Sequence, residues 1–283
     1  MEQMTRTLTI GYSPCPNDTF IFYGLTHGKV KIPGIAFQER LEDVETLNRL
    51  ALEGGLDITK VSYHAVGHLR ENYALLRSGG ALGRGCGPLI VAKPWTKLET
   101  LRSAPVAIPG KLTTAYLLLR LFDPLIENVV VMTYDSIMQA VAGGKAAAGL
   151  IIHESRFTYP AYRLEKLVDL GEWWERRTGL PLPLGGILGR RSLGRDVLLQ
   201  VEGAIRESLS YAQAHPDEIM EYCGKYAQEM QHEIMKKHID LYVTAFSHDL
   251  TIEGLSAVHR LFTEAEARGI FPHSERPLLA EEI

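Results

Sequence analysis

Cysteine is scarce in this chain, and its scarcity excludes two kinds of architecture. Cys15, Cys86 and Cys223 stand far apart in 283 residues, with no CxxC among them. That spacing rules out a disulfide framework and a cysteine-rich zinc site, so reduced thiols are expected. Long apolar runs are also missing. No segment reaches the ~18 consecutive apolar residues of a membrane-spanning helix, and no membrane partner is expected. Neither charge dominates: 30 lysines and arginines face 34 aspartates and glutamates, a formal charge of −4. The chain therefore lacks the basic excess that draws a protein to nucleic acid or to an anionic surface. Its opening residues, MEQMTRTLTI, show no apolar stretch followed by a small-residue cleavage site. A cytoplasmic location is the expectation.

What is present is enough apolar material for a substantial core. Apolar residues make up 46% of the 283, and a chain of this length accommodates roughly two domains. Strand and helix patterns alternate, which is the signature of parallel sheets covered on both faces. LTIGY (8–12) reads as a strand, and FIFYGLTHG (20–28) as a helix stopped by Gly28. IAFQERL (35–41) alternates as a half-buried strand does. Asp43 is placed to cap a helix over ETLNRLALEGG, with Leu47, Leu50 and Ala51 on one face. LDITKVS (56–62), APVAIPG (104–110), VVVMTY (129–134) and AAGLIIH (147–153) read as further strands. TAYLLLRLF (114–122) and SIMQAVAGG (136–144) fall between them as helices. From about Asp196 onward helical periodicity takes over, with His215–Pro216 separating two segments.

The chain echoes itself. LEGGLDITKVSYH (52–64) and VAGGKAAAGLIIH (141–153) share a helix end, a Gly-Gly, a short link and a buried strand, at a constant offset of 89. TIGYSPCPNDTF and PVAIPGKLTTAY echo more loosely: strand, proline-containing turn, then polar residues where a helix begins. Two similar lobes would follow, with the C-terminal ends of their strands turned toward a shared crevice. That arrangement singles out Ser13 to Asp18, Lys60 to Ser62, Lys111 to Ala115 and His153 to Ser155.

SPCPNDTFIFY, LEDVETLNRLALEG, TKVSYHA, RSGGALGRGCGPLIVA, LTTAY, GLIIHESRFTYP and LPLPLGGI, in that order along nearly the whole chain, resemble the 1,4-dihydroxy-6-naphthoate synthase family of the futalosine route to menaquinone. The resemblance implies an α/β fold of the type II periplasmic-binding-protein kind, two α/β lobes with a substrate cleft between them. The expected division is a large lobe of residues 1–92 and 188–283, which holds the C-terminal helices, and a small lobe of residues 93–187. It implies a lyase that converts cyclic dehypoxanthinylfutalosine to 1,4-dihydroxy-6-naphthoate and dihydroxyacetone, with no cofactor and no metal. The implied catalytic base is His153. The implied substrate contacts are Lys60, Val61, Ser62, Thr114 and Ala115, and the rigid ledge at Asn17 and Asp18 is expected to wall the pocket. Two alternatives stay open: a chorismate dehydratase of the same pathway, and a non-catalytic solute-binding protein of the same fold. The oligomeric state is not set by the sequence.

The residues themselves are compatible with that chemistry. An imidazole titrates near neutrality and can take a proton and return it, and His153 follows the apolar strand GLII. Lys60 interrupts the buried strand DITKVS, where an ammonium needs a carboxylate partner or a bound anion. Thr113 reads as a helix cap and Thr114 as a ligand contact. Cys15, at a helix start, is weighed as a nucleophile of lowered pKa, but it has no partner base in the sequence. His64 and His68 stand at i,i+4 without a third metal ligand. SGGALGRGCG puts Pro88 where a dinucleotide loop needs its third glycine and reads instead as a close-packed connection near the hinge. Trp173 and Trp174 are open to two uses, closing over an aromatic substrate or anchoring lobe packing.

Overall fold

The computed structural model describes residues 5–226 and 232–283. Its strands are β1 (Arg6–Tyr12), β2 (Ile35–Leu41), β3 (Ile58–Ser62), β4 (Tyr73–Gly83), β5 (Leu89–Ala92), β6 (Val106–Ile108), β7 (Val129–Val131), β8 (Ala148–Ile151), β9 (Glu165–Asp169) and β10 (Leu182–Arg190). The α-helices in the first half are α1 (Pro16–Thr26), α2 (Val44–Leu52), α3 (Tyr63–Leu69), α4 (Thr114–Phe122) and α5 (Ile137–Ala142). They are followed by α6 (Ser155–Thr158), α7 (Leu170–Thr178), α8 (Arg195–Ala214), α9 (Pro216–Cys223), α10 (His232–Tyr242), α11 (Ala245–His248) and α12 (Thr251–Ala267).

The described residues form two five-stranded sheets, ordered β2-β1-β3-β10-β4 and β7-β6-β8-β5-β9. Their plans match position for position. In the first, β1 runs parallel to β2 and β3, while β10 is antiparallel to β3 and β4. In the second, β6 runs parallel to β7 and β8, while β5 is antiparallel to β8 and β9. The 89-residue echo noted above therefore overlays β3 on β8, which hold the same place in their sheets. The sheets are mixed and not wholly parallel, because β5 and β10 enter each sheet from the other half of the molecule and close it antiparallel.

These crossings also move the expected lobe boundaries. Residue 92 ends β5, a strand of the second sheet, and residue 187 lies inside β10, a strand of the first. A cut at either place would sever a strand from the ladder that satisfies its backbone. We propose instead that the lobes divide at the links 84–88 and 179–181, where the chain passes between sheets.

Local chemistry explains most of the elements that face the cleft. The Asp43 side chain accepts from Glu45 N and Thr46 N and caps α2, a contact worth about 1 kcal/mol. Thr113 caps α4 by accepting from Tyr116 N. Helix α1 begins at Pro16, four residues before the apolar run from Phe20. Pro16 occupies the first helical position, where its missing N–H costs nothing, so Asn17 and Asp18 lie inside the helix and do not cap it. Every residue of α1 from Pro16 to Leu25 is buried, because the helix is enclosed by the first sheet on one side and by α8, α9 and α10 on the other.

The glycine-rich run splits between the end of β4 and the crossing into β5. Gly87 lies backbone to backbone on Gly171 at the start of α7; a Cβ on Gly87 would sit 2.3 Å from the Gly171 nitrogen. Trp174 is fully buried and its Nε1–H donates to Pro181 O at 3.1 Å, while Trp173 packs edge-on against Phe122. Both tryptophans anchor packing and neither lines the cleft. Gly87→Ala is expected to lower stability by about 2–3 kcal/mol, read by denaturant unfolding; a loss below about 0.5 kcal/mol would refute the close-approach explanation.

Candidate functional site

The starts of α1 and α4 and the ends of β3 and β8 converge on one cleft. Its walls include Asn17, Asp18, Lys60, Val61, Ser62, Thr114, Ala115 and His153. Residues drawn from four distant stretches of sequence thus meet at one place.

The charged centre is the Lys60–Asp18 pair. Both side chains are nearly inaccessible, 5% and 4% exposed, and Lys60 Nζ donates to Asp18 Oδ1. Of the two options open for Lys60, a carboxylate partner or a bound anion, the protein itself supplies the carboxylate. Asp18 is further surrounded by donors: Asn17 Nδ2 at 2.7 Å on Oδ1, and Ser13 Oγ at 2.6 Å and Ser13 N at 3.2 Å on Oδ2. These contacts bend the Ser13–Cys15 turn back onto the first turn of α1.

Because the Asn17 amide nitrogen is committed to Asp18, its oxygen accepts from His238 Nε2–H at 2.8 Å. His238 comes from α10 and is wholly buried. Its Nδ1 makes no hydrogen bond among the described residues, and Glu154 Oε2 lies 3.7 Å away, beyond hydrogen-bond reach. Burial, and then the nearby His153 and Lys60, hold its pKa well below the usual imidazole value. His238 is the site residue that the sequence does not reveal. It sits in the ordinary amphipathic helix HEIMKKHIDLY, 221 residues from Asn17, and no local motif marks it.

His153 faces the cleft directly after β8. Its ring lies nearly parallel to that of His238, centroids 6.1 Å apart and planes 21° apart, and edge-on to Tyr134 at 5.0 Å. Burial lowers its pKa to about 4, and the Lys60 charge works in the same direction against the opposing pull of Asp18. The imidazole is therefore neutral and able to accept a proton at neutral pH. Its backbone has φ 55, the left-handed region that costs a non-glycine residue about 1 kcal/mol and recurs at functional positions. Glu154, the next residue in sequence, directs its carboxylate toward His238.

The second lobe contributes a helix start. Thr113 Oγ is used for capping and donates to Gly110 O at 2.8 Å. Thr114 Oγ donates to Leu184 O at 2.6 Å, so its hydroxyl proton ties α4 to β10 and is not available to a ligand. The backbone N–H groups of Thr114 and Ala115, by contrast, have no partner among the described residues and open the first turn of α4 into the cleft. Across from them, Ser62 Oγ accepts from Asn48 Nδ2 at 3.3 Å and keeps its own proton.

Two alternatives set aside on sequence grounds gain no support here. The Cys15 thiol is buried and pushed up well above its ordinary pKa, first by burial and then by Glu154 and Asp18, so the helix start does not make it a thiolate nucleophile. His64 turns its Nδ1 to Thr113 O at 3.2 Å, and its pKa falls to about 4 through burial. It bridges the lobes and is only a ring neighbour of His68.

A family profile described as menaquinone biosynthesis matches residues 8–267. The chain belongs to this family. It is 56% identical over 274 residues to the 1,4-dihydroxy-6-naphthoate synthase of Thermus thermophilus, covering 96% of this chain and 99% of that protein. A crystal structure of an Archaeoglobus fulgidus protein superposes with TM-score 0.87 at 37% identity, covering 94% of this chain and 98% of the other. A Candida albicans protein described as showing the generic periplasmic binding protein fold superposes with TM-score 0.69 at 12% identity, over 95% of this chain and 92% of the other. Together with the two matching sheets, that likeness shows the periplasmic-binding-protein-like fold expected from the sequence.

Asp18→Asn is expected to cost about 3 kcal/mol of stability, because it leaves the Lys60 ammonium buried without a carboxylate. Urea unfolding measures this, and an unchanged midpoint would show that the pair does not organise the turn.

Proposed function

We propose that this chain is a lyase of menaquinone biosynthesis that converts cyclic dehypoxanthinylfutalosine to 1,4-dihydroxy-6-naphthoate and dihydroxyacetone, with His153 as general base. The observation that carries the reading is the near full-length identity of 56% to a 1,4-dihydroxy-6-naphthoate synthase, together with a neutral imidazole aimed into the cleft. The location proposed for this chemistry is the cytoplasm.

In this scheme the substrate carboxylate rests on the N–H groups of Thr114 and Ala115, where a helix start concentrates partial positive charge. Ser62 donates its free hydroxyl proton to the same ligand. Asp18 and Lys60 form a charged wall beside the hydroxylated part of the substrate. His153 removes a proton, carbon–carbon cleavage releases the three-carbon fragment, and loss of ring protons completes the aromatic product. Holding base and substrate in one geometry supplies much of the rate.

Two experiments test this. His153→Asn keeps a residue that tolerates the left-handed backbone but removes the base. It is expected to lower kcat by at least ~100-fold with an unchanged melting temperature; turnover within a few-fold of the parent, measured by mass spectrometry of the naphthoate, would refute the assignment. Incubation with chorismate in parallel separates the dehydratase alternative. The second test is the acid limb of kcat/KM. A base must be unprotonated to act, so a free-enzyme pKa of about 4 for His153 keeps activity as pH falls through the ordinary imidazole range, with loss only as pH approaches that value. A limb near the ordinary imidazole value of ~6.5 would contradict the lowered pKa of His153.

A further inference from the structure

We propose that Glu45 is a positioning residue that fixes the angle between the lobes and so sets the distance from His153 to a substrate held by Ser62. Glu45 stands in the first turn of α2, on the first lobe. Its carboxylate reaches across the cleft rim to the second lobe, where Oε1 accepts from Lys111 N at 3.0 Å and Oε2 from Leu112 N at 3.1 Å. These N–H groups belong to the turn between β6 and α4, just ahead of the N–H groups assigned to the substrate carboxylate. Glu45 therefore does not compete with that ligand.

The approach is built into the backbone. Gly110 has φ 158, and a Cβ there would lie 2.3 Å from the Glu45 carboxyl carbon, so only glycine lets the carboxylate reach the turn. Glu45 is also tied to the substrate side. Asn48, one helical turn on, donates to Glu45 Oε2 at 3.5 Å and to Ser62 Oγ at 3.3 Å, and its side-chain oxygen accepts from Ser62 N at 2.9 Å. One short chain of contacts thus links Ser62 on the first lobe to the turn that opens α4 on the second. A carboxylate on two backbone N–H groups is a charge-assisted contact. Such a contact can hold a lobe angle, and misplacing a base by about 1 Å costs on the order of 100-fold in rate.

The consequence for turnover rests on the lyase reading above; the effect on lobe angle does not. Glu45→Ala, Glu45→Gln and Gly110→Ala are compared with the parent by steady-state kinetics, small-angle X-ray scattering of the free protein and thermal unfolding. Glu45→Ala and Gly110→Ala are expected to enlarge the radius of gyration and lower kcat by about 100-fold, with KM moved less and a melting temperature close to the parent's. Glu45→Gln, whose amide oxygen still accepts from the turn, is expected to recover most of the loss. An unchanged radius of gyration and kcat in Glu45→Ala overturns the proposal, as does a Gln variant no better than Ala. If the parent does not turn over the futalosine derivative, the lyase reading fails, and the scattering comparison still decides whether Glu45 sets the lobe angle.

Discussion

The buried pair of Lys60 and Asp18 is the constraint around which the cleft is arranged. A lone ammonium inside a sheet is too costly to keep, and here the carboxylate that compensates it must come from α1. That demand brings the start of α1 against the end of β3 and leaves Asp18 to be saturated by Ser13 and Asn17. Asn17 then has only its oxygen to offer. This sets which nitrogen of His238 carries the proton and draws α10 in behind the cleft. One ion pair thus propagates through a turn, an amide and a tautomer to the histidine stacked on His153.

The two lobes hold equivalent strands but supply different chemistry. β3 ends in Lys60, Val61 and Ser62, which provide charge and a hydroxyl donor; β8 is followed by His153 in a left-handed conformation. Fixed charge comes from one half and the proton acceptor from the other, so reactivity depends on how the halves meet. Contacts that span them, from Glu45 to the α4 turn, from His64 to Thr113 and from Thr114 to Leu184, bear directly on where the base stands.

Much of this was legible in the chain where the cause is local. Asp43 as a cap, Thr113 as a cap and the limits of α4 follow from side chains within a few residues of the backbone groups they serve. The repeat at offset 89 pointed to equivalent strands because equal positions in two sheets demand equal burial. The apolar pattern places the start of α1 four residues late, at Phe20, because polar residues usually stop burial, whereas Asn17 and Asp18 are buried with His238 and Lys60, remote in sequence, as partners. Trp174 shows the same limit: nothing beside it says that its indole N–H would find Pro181 O.

By itself the sequence determined the alternation of strand and helix, the duplication, the motifs that carry the family and the residue types at each strand end, since these depend on neighbours along the chain. Only the tertiary structure decided the antiparallel strands that exchange between sheets, the partner of Lys60, the place of His238 and the neutral state of His153. Those depend on burial and on groups up to 221 residues apart, and electrostatics in a desolvated cleft is set by distance in space.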